Sequence, residues 1–552
     1  MKISKYLIGT LTCALMAACS NEENPAVDSG TQGQEGEQAF IAVNLVAPDA
    51  MSRAFQDGEP EENAVTSARF YFFNNDGSPV TVSGSVNYIT ANVGTGENQL
   101  NFGPAGTNDE DGNIEEISNT ILVLNASTGF PDKMAVILNP PTALGDESKT
   151  LTELSASGDY STTTNFIMSS AVYKTSTNET VDAVAVRDNI APSSVAAKAN
   201  PVKVYVERVL ARVDVEQDGK SLQDYEDDTE VNASDIEGQA TPTDDRVMAV
   251  VRGWALANCS DKSYLIKQLN TSWESSGTTP FTGWNAENYH RSYWAECPDD
   301  KGMKKNQTYT EILNASTDMS KSQYCQERTN ESSTPTELVV IAELQVDGTK
   351  TTIAKYADEY WTVDALLEQF ANMISNIYYK TTGSEDWKAL DKSILKFRPR
   401  KSSETSVAYY ESVLDLTETA QNYSFASDAT GNTSMKVEDV QAVLDDFTPL
   451  VWYEGKTYYH LPIEHKIGNM TAKNGVVRNH LYNISITGIS GLGTPIPGNT
   501  EPGEDPDPEE PIDPEDPQDE YSYVAAQINI LSWNVVTQSA VLGQQSSVTE
   551  AR

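Results

Sequence analysis

The end of the chain constrains the fold most. Residues 495–519 form an acidic run punctuated by Pro502, Pro506, Pro508, Pro511, Pro514 and Pro517. A strand-like segment follows, Tyr521-Ser-Tyr-Val-Ala-Ala-Gln-Ile-Asn-Ile-Leu-Ser-Trp-Asn-Val-Val, dominated by residues that suit a pleated surface. A polar strap that delivers one isolated strand needs a sheet to receive it, in the same molecule or in the next one. Val524, Ala526, Ile528 and Ile530 share one face, and the alternation slips at Leu531-Ser532-Trp533. Residues up to Trp533 are therefore expected to be the last strand of the chain's own second domain. Residues 534–552 are the part available to a neighbour.

A chain of 552 residues is too long for a single core, so two domains with tails are expected. Apolar residues make up 38%, and the remainder is rich in Ser, Thr, Asn and Gly, a composition of short strands and turns. The formal net charge is −43, from 38 basic and 81 acidic residues. Nucleic acid as a partner is disfavoured, because a phosphate backbone demands clustered Lys and Arg.

The N-terminus reads as an address. Lys2 and Lys5 precede a short apolar run that ends in Met16-Ala-Ala-Cys19. That run is too short to span a bilayer as a stable helix, and its end resembles a lipobox. Cys19 is then the lipidated residue, with residues 1–19 as the lipoprotein signal and its acceptor. An acidic tether occupies residues 20–37. Ala39-Phe-Ile-Ala-Val-Asn-Leu-Val46 follows as a strand with Ile41, Val43 and Leu45 on one face. A polar, turn-rich loop comes next. Arg53 is the only basic residue between Lys5 and Arg69, so an Arg-specific protease would find one bond there, Arg53–Ala54.

The rest of the chain reads as strands. The segment Val202-Lys-Val-Tyr-Val-Glu-Arg-Val-Leu-Ala-Arg-Val-Asp-Val215 shifts face at Arg208–Val209, as a β-bulge would make it do. Residues 221–245 are acidic and loop-like, a natural boundary. Leu338-Val-Val-Ile-Ala-Glu-Leu-Gln-Val346, the turn Asp347-Gly348 and Thr351-Thr-Ile-Ala-Lys-Tyr356 read as a hairpin. Residues 362–377 form the best helix, with Thr362 as cap and Leu366, Leu367 and Phe370 on its buried side. No alternation of strand and helix calls for a parallel sheet. The expected organisation is a tether and removable strand at 20–53, a first β-sandwich at 54–220, a second at 221–533 including the strap, and a candidate donor tail at 534–552.

Little in the sequence points to catalysis. His460 and His465 are five apart, on opposite faces of a strand, which argues against a shared metal. Cys259, Cys297 and Cys325 allow at most one disulfide and contain no Cys-x-x-Cys. The acidic stretch Asp109-Glu-Asp-Gly-Asn113 lacks the end ligands of a calcium loop. No cofactor, metal site or enzymatic activity is expected.

A family resemblance runs along almost the whole chain. It rests on the lipobox at Cys19, Ser52-Arg53-Ala54, Val202-Lys-Val-Tyr-Val-Glu-Arg with Ala211-Arg212, and Gly253-Trp254 with Tyr264-Leu265. Further along it rests on Tyr293-Trp294, Tyr324-Cys-Gln-Glu-Arg-Thr329, Val477-Arg-Asn-His-Leu-Tyr482 and the strap leading to Ile528-Asn-Ile-Leu-Ser-Trp533. In these features the chain resembles the Mfa-type fimbrillins of type V fimbriae. The resemblance implies an all-β fold of two transthyretin-like β-sandwich domains with a few short helices. It implies a structural shaft subunit made as an outer-membrane lipoprotein precursor and cut after Arg53 by an Arg-specific maturation protease. The vacated groove would then accept a strand from another copy, with Val535, Val536, Thr537, Ala540, Val541 and Leu542 as donor residues. Expected partners are other copies, fimbrial anchor and tip subunits, and host or bacterial surface receptors. The membrane is met only through the precursor's lipid. Adhesion and biofilm formation are the implied roles. A tip or accessory adhesin is the alternative, and a surface glycan-binding lipoprotein a more distant one, marked by an aromatic-lined cleft.

Overall fold

The computed structural model describes residues 38–46, 62, 64–100, 116–125, 129–175, 177, 179–269, 295–298, 302–329, 334–400, 406–408, 410–465, 473–496, 510–514, 523–532 and 534–536. Cys19, Arg53, Ala54, the 109–113 loop, His290, Tyr293, Trp294, Trp533, Thr537, Ala540, Val541 and Leu542 lie outside these residues. The described residues are all-β with a few short helices, arranged in several sheets.

The first domain is built on one nine-stranded sheet. Its strand Ser67–Phe73 shows why the sequence there is apolar without alternation. Phe70 and Phe72 enter one core with Ile41, Val43, Val136 and Val204. Tyr71 and Phe73 enter a second core on the opposite face, with Ile137, Leu154 and, from the second domain, Leu265 and Ile266. A strand covered on both faces has no polar side to show.

The second domain packs two sheets face to face. One runs Gln323–Gln326, Leu210–Glu216, His480–Ser490, Tyr523–Ser532, Asn534–Val536. The other runs Glu226–Asn232, Arg246–Ala257, Glu337–Val346, Lys456–Pro462, Thr494–Pro495. Val213, Val215, Tyr482 and Ile484 meet Val247, Ala249, Val340 and Leu461 between them. A register shift between Val251 and Gly253 turns Ala255 and Ala257 outward, under the helix Tyr309–Ala315. Close backbone packing also requires a glycine. Gly455 has φ +70°, and a Cβ there would lie 2.3 Å from the Leu344 carbonyl oxygen.

Several expectations need correction. The face shift at Arg208–Val209 is a change of sheet, not a bulge. Val202–Arg208 pairs with Gln38–Val46 and Met168–Ser170 in the first sheet. Leu210–Glu216 pairs with His480–Ser490 and Gln323–Gln326 in the second domain. The crossover at Val209 thus comes ahead of the boundary expected after residue 220. The acidic stretch 221–245 holds a strand, Glu226–Asn232, at the edge of its sheet, where charged side chains face water. The expected hairpin is truncated. Only Thr349–Lys350 returns to Glu337–Val346, while Ile353–Tyr356 leaves for another sheet. Four pairings among the described residues are parallel; the two between long strands are Gln38–Val46 with Val202–Arg208 and Leu210–Glu216 with His480–Ser490, although no βαβ unit produces them.

Residues 354–453 supply a third core, inserted between two neighbouring strands of the second sandwich. The helix Val363–Met373, capped by Thr362, turns Leu366, Leu367 and Phe370 into it. Phe370 packs edge-on against Tyr356, with ring centroids 4.7 Å apart, a favoured aromatic geometry.

Candidate functional site

The strand Gln38–Val46 is an inner strand. It pairs antiparallel with Glu116–Asn125 on one side and parallel with Val202–Arg208 on the other. Ala39, Ile41, Val43 and Leu45 enter the main core of the first domain. The sequence marked that face. It did not mark the other, where Ala42 is fully buried and, with Phe40, packs against Ile121, Ala191 and Ala197. Ala197 belongs to the short helix Ser194–Ala199, which lies against the strand as a cover. The Phe40 and Ala191 backbones exchange hydrogen bonds at 2.8 and 2.9 Å.

Downstream of the Arg53 loop the chain is fastened by Glu62, which sequence reasoning missed. Its side chain is 1% exposed. Its two carboxylate oxygens accept from Arg212 Nη1 at 3.0 and 3.1 Å. The Tyr324 hydroxyl donates to the same carboxylate, and Arg208 Nε donates to the Glu62 carbonyl at 3.1 Å. Burial opposes the charge of Arg212, but Asp214 and Glu62 outweigh it and hold its pKa above the ordinary value. Burial, reinforced by Glu62, raises the Tyr324 phenol. A second ionic set lies where the domains meet. Lys267 Nζ donates to Glu207 Oε2 at 2.9 Å with both side chains fully buried. Arg478 Nε donates to Glu327 Oε1 at 2.9 Å. Burial pushes the Glu207 carboxyl up, against the pull of Lys267 and Arg478. Charges buried at this depth are tolerated only when paired.

At the other end of the chain, Tyr523–Ser532 pairs antiparallel with His480–Ser490, with a register shift between Ile486 and Gly488. Asn534–Val536 then turns back along it. Val535 lies opposite Leu531, and Val536 opposite Ile530. This three-residue strand forms one edge of the sheet. The strap has an anchor that its composition conceals. Ile512 is 1% exposed and packs on Tyr309, Ile312 and Tyr458. Ile512 N donates to the Gln307 carbonyl at 3.0 Å, and Asn306 Nδ2 donates to the Ile512 carbonyl at 3.0 Å. A single isoleucine among prolines and acids carries no periodicity, so only its apolar character could have drawn notice.

Three of the histidines lie among the described residues. His460 Nδ1 lies 2.7 Å from Glu337 Oε2. His465 and His480 are buried with ring centroids 4.9 Å apart, and the Tyr482 hydroxyl meets His465 Nδ1 at 2.7 Å. Among the described residues no group of three or more His, Cys, Asp or Glu could hold a metal ion. A cavity of about 520 Å³ opens near the domain junction, lined by Asp76, Lys133, Val172, Asp182 and Lys267 among others. No aromatic side chain lines it among the described residues, so it lacks the stacking surface that a glycan cleft would offer.

Comparison with known proteins bears on the C-terminal strands. Residues 451–539 match the family model described as major fimbrial subunit protein type IV, fimbrillin, C-terminal. The match starts at Val451 and runs past Val536, so it takes in the strap and the terminal strands. No curated protein sequence matches the chain. Among solved structures it is similar to a fimbrilin from Porphyromonas gingivalis W83, at 14% identity and TM-score 0.34, covering 91% of this chain and 99% of that one. It is similar to the tip fimbrial protein Mfa3 from Porphyromonas gingivalis, at 11% identity and TM-score 0.28, over 89% and 99%. It is also similar to a fimbrial assembly protein from Parabacteroides distasonis, at 12% identity and TM-score 0.24, over 70% and 98%. Likeness at these scores carries no weight for function.

Proposed function

We propose that the chain, whose residues 451–539 match a fimbrillin C-terminal family model, is a fimbrial subunit that builds the shaft of a cell-surface fimbria by head-to-tail strand exchange. On this reading it is exported as a precursor lipidated at Cys19. An Arg-specific protease cuts the Arg53–Ala54 bond, and Gln38–Val46 leaves. The tail of another copy, from Val535 to Leu542, fills the groove.

One observation carries the reading: the strand upstream of the only arginine in its region is an inner strand covered on both faces. Its loss uncovers two rows of unpaired backbone groups and the apolar floor beneath Ile41, Val43 and Leu45, both unfavourable in water. An incoming strand restores the ladder. Burying four or five apolar side chains contributes roughly 6–15 kcal/mol gross, reduced by the entropy of ordering the tail. Glu62 supports the same reading from the other side of the cut, because it holds the retained chain in the junction while the upstream part departs. Exchange of this kind does not close on itself and yields a filament.

Arg53→Ala tests the trigger. The variant precursor is expected to keep its first strand and remain monomeric under trypsin-like digestion that converts the parent chain into ladders. Normal polymerisation of Arg53→Ala would remove cleavage at this bond from the mechanism.

A further inference from the structure

The three cysteines beyond the leader come together at one end of the second sandwich. Cys259 follows the long strand Arg246–Ala257 of one sheet. Cys325 lies in Gln323–Gln326, the outermost strand of the other. An antiparallel bridge joins Ser260 to Gln326. Cys259 and Cys325 are the preceding residues on its two sides, so their side chains leave the same face. Cys325 belongs to the core of the second sandwich, and Cys259 packs against that same core. Cys297 meets a different partner, the Ser260 hydroxyl, at 3.4 Å. All three are thiols in this structure.

We propose that Cys259 and Cys325 close a disulfide that staples the two sheets of the second sandwich, and that Cys297 stays a thiol. Cys259 is the point of entry, since it is half-buried while Cys325 is 1% exposed. Its backbone is held in place, with the Cys259 carbonyl accepting from Lys304 N at 2.9 Å. The neighbouring Cys325 thiol, aided by the charges of Lys304 and Arg328, lowers the Cys259 thiol, while Cys325 is raised. The Cys259 thiolate is thus the nucleophile. It attacks a low-molecular-weight disulfide such as oxidised glutathione. A Cys259–glutathione S–S bond forms, the glutathione S–S bond breaks, and one glutathione thiolate leaves and takes up a proton. Cys325 then gives up its proton and attacks Cys259 Sγ, expelling the second glutathione. Two protein thiols are oxidised, and one oxidised glutathione becomes two thiols. The closed loop constrains the unfolded chain between residues 259 and 325. The inference goes beyond the fimbrial reading and does not depend on it.

The test uses the full chain treated with oxidised glutathione, unfolded in iodoacetamide and digested with trypsin. Each cysteine falls in its own peptide, residues 253–262, 292–301 and 322–328. The expected product joins 253–262 to 322–328, with 292–301 alkylated, and dithiothreitol separates the pair. Dithiothreitol should also lower the Tm of the oxidised parent while leaving that of Cys325→Ala unchanged. Three separately alkylated peptides, a glutathione adduct on Cys259 that does not resolve, or a link through Cys297 would each overturn the proposal.

Discussion

The first and last strands of the chain look alike in sequence and differ in setting. Gln38–Val46 and Tyr523–Ser532 are both apolar, β-rich segments reached through polar, turn-rich chain. The first is held by two long neighbours, Glu116–Asn125 and Val202–Arg208, with side chains buried on both faces. The last has one long neighbour, His480–Ser490. On its other side, among the described residues, lies the three-residue return Asn534–Val536 at the edge of the sheet. Losing the inner strand is costly, so its removal creates strong demand for a replacement. The short edge strand pairs over three residues only, so releasing it would cost little, as the proposed exchange requires. The same molecule thus pairs an inner first strand held on both sides with a short terminal strand at a sheet edge.

The largest effect should come from the inner strand. Val43→Asp buries an uncompensated carboxylate in the first core and should destabilise the uncut chain by more than about 4 kcal/mol in denaturant titrations. A loss under about 1 kcal/mol would mean that the strand is held loosely and would break the comparison. Ile512→Ala removes the strap's anchor and should cost about 2–5 kcal/mol, read in the same titration. No measurable loss would show that the strap rests on the sheet without holding to it.

A pH scan distinguishes the two sheets. Burial first, and then His480, holds His465 well below the ordinary histidine value. The folded state therefore binds fewer protons than the unfolded one, and this contribution is full above about pH 6.5 and is lost as pH falls. Stability should decline by up to about 1.4 kcal/mol per pH unit below that point, and His465→Gln should flatten the decline. His480 pairs with Ser532, so acid should loosen the terminal strand before the first one in hydrogen exchange; the reverse order would sink this assignment. The smallest effect on the monomer should follow deletion of residues 534–552. It should change unfolding by less than about 1 kcal/mol yet leave a chain that cannot extend a filament.

Much of this was legible locally. Ile41, Val43 and Leu45 alternate and share a core, and Leu366, Leu367 and Phe370 mark the buried side of a capped helix. Pairing between distant segments was not. The break at Arg208–Val209 reads the same in sequence whether a strand bulges or crosses to another sheet, because only its neighbours differ. Glu226–Asn232 is too acidic to look like a strand, and it survives as one because an edge lets its charges reach water. The third core of residues 354–453 was hidden because its strands are two to five residues long, too short for a clear period. Glu62 and Ile512 draw their importance from partners distant in sequence, Arg212 for one and Tyr309 and Ile312 for the other.

Assembly by strand exchange requires the first strand to be absent from assembled subunits. Filaments sheared from cells, dissociated and sequenced from the N-terminus address this directly. Subunits that begin at Ala54, with no peptide from residues 38–46 retained, are the predicted result. Filament subunits that still carry Gln38–Val46 would contradict it.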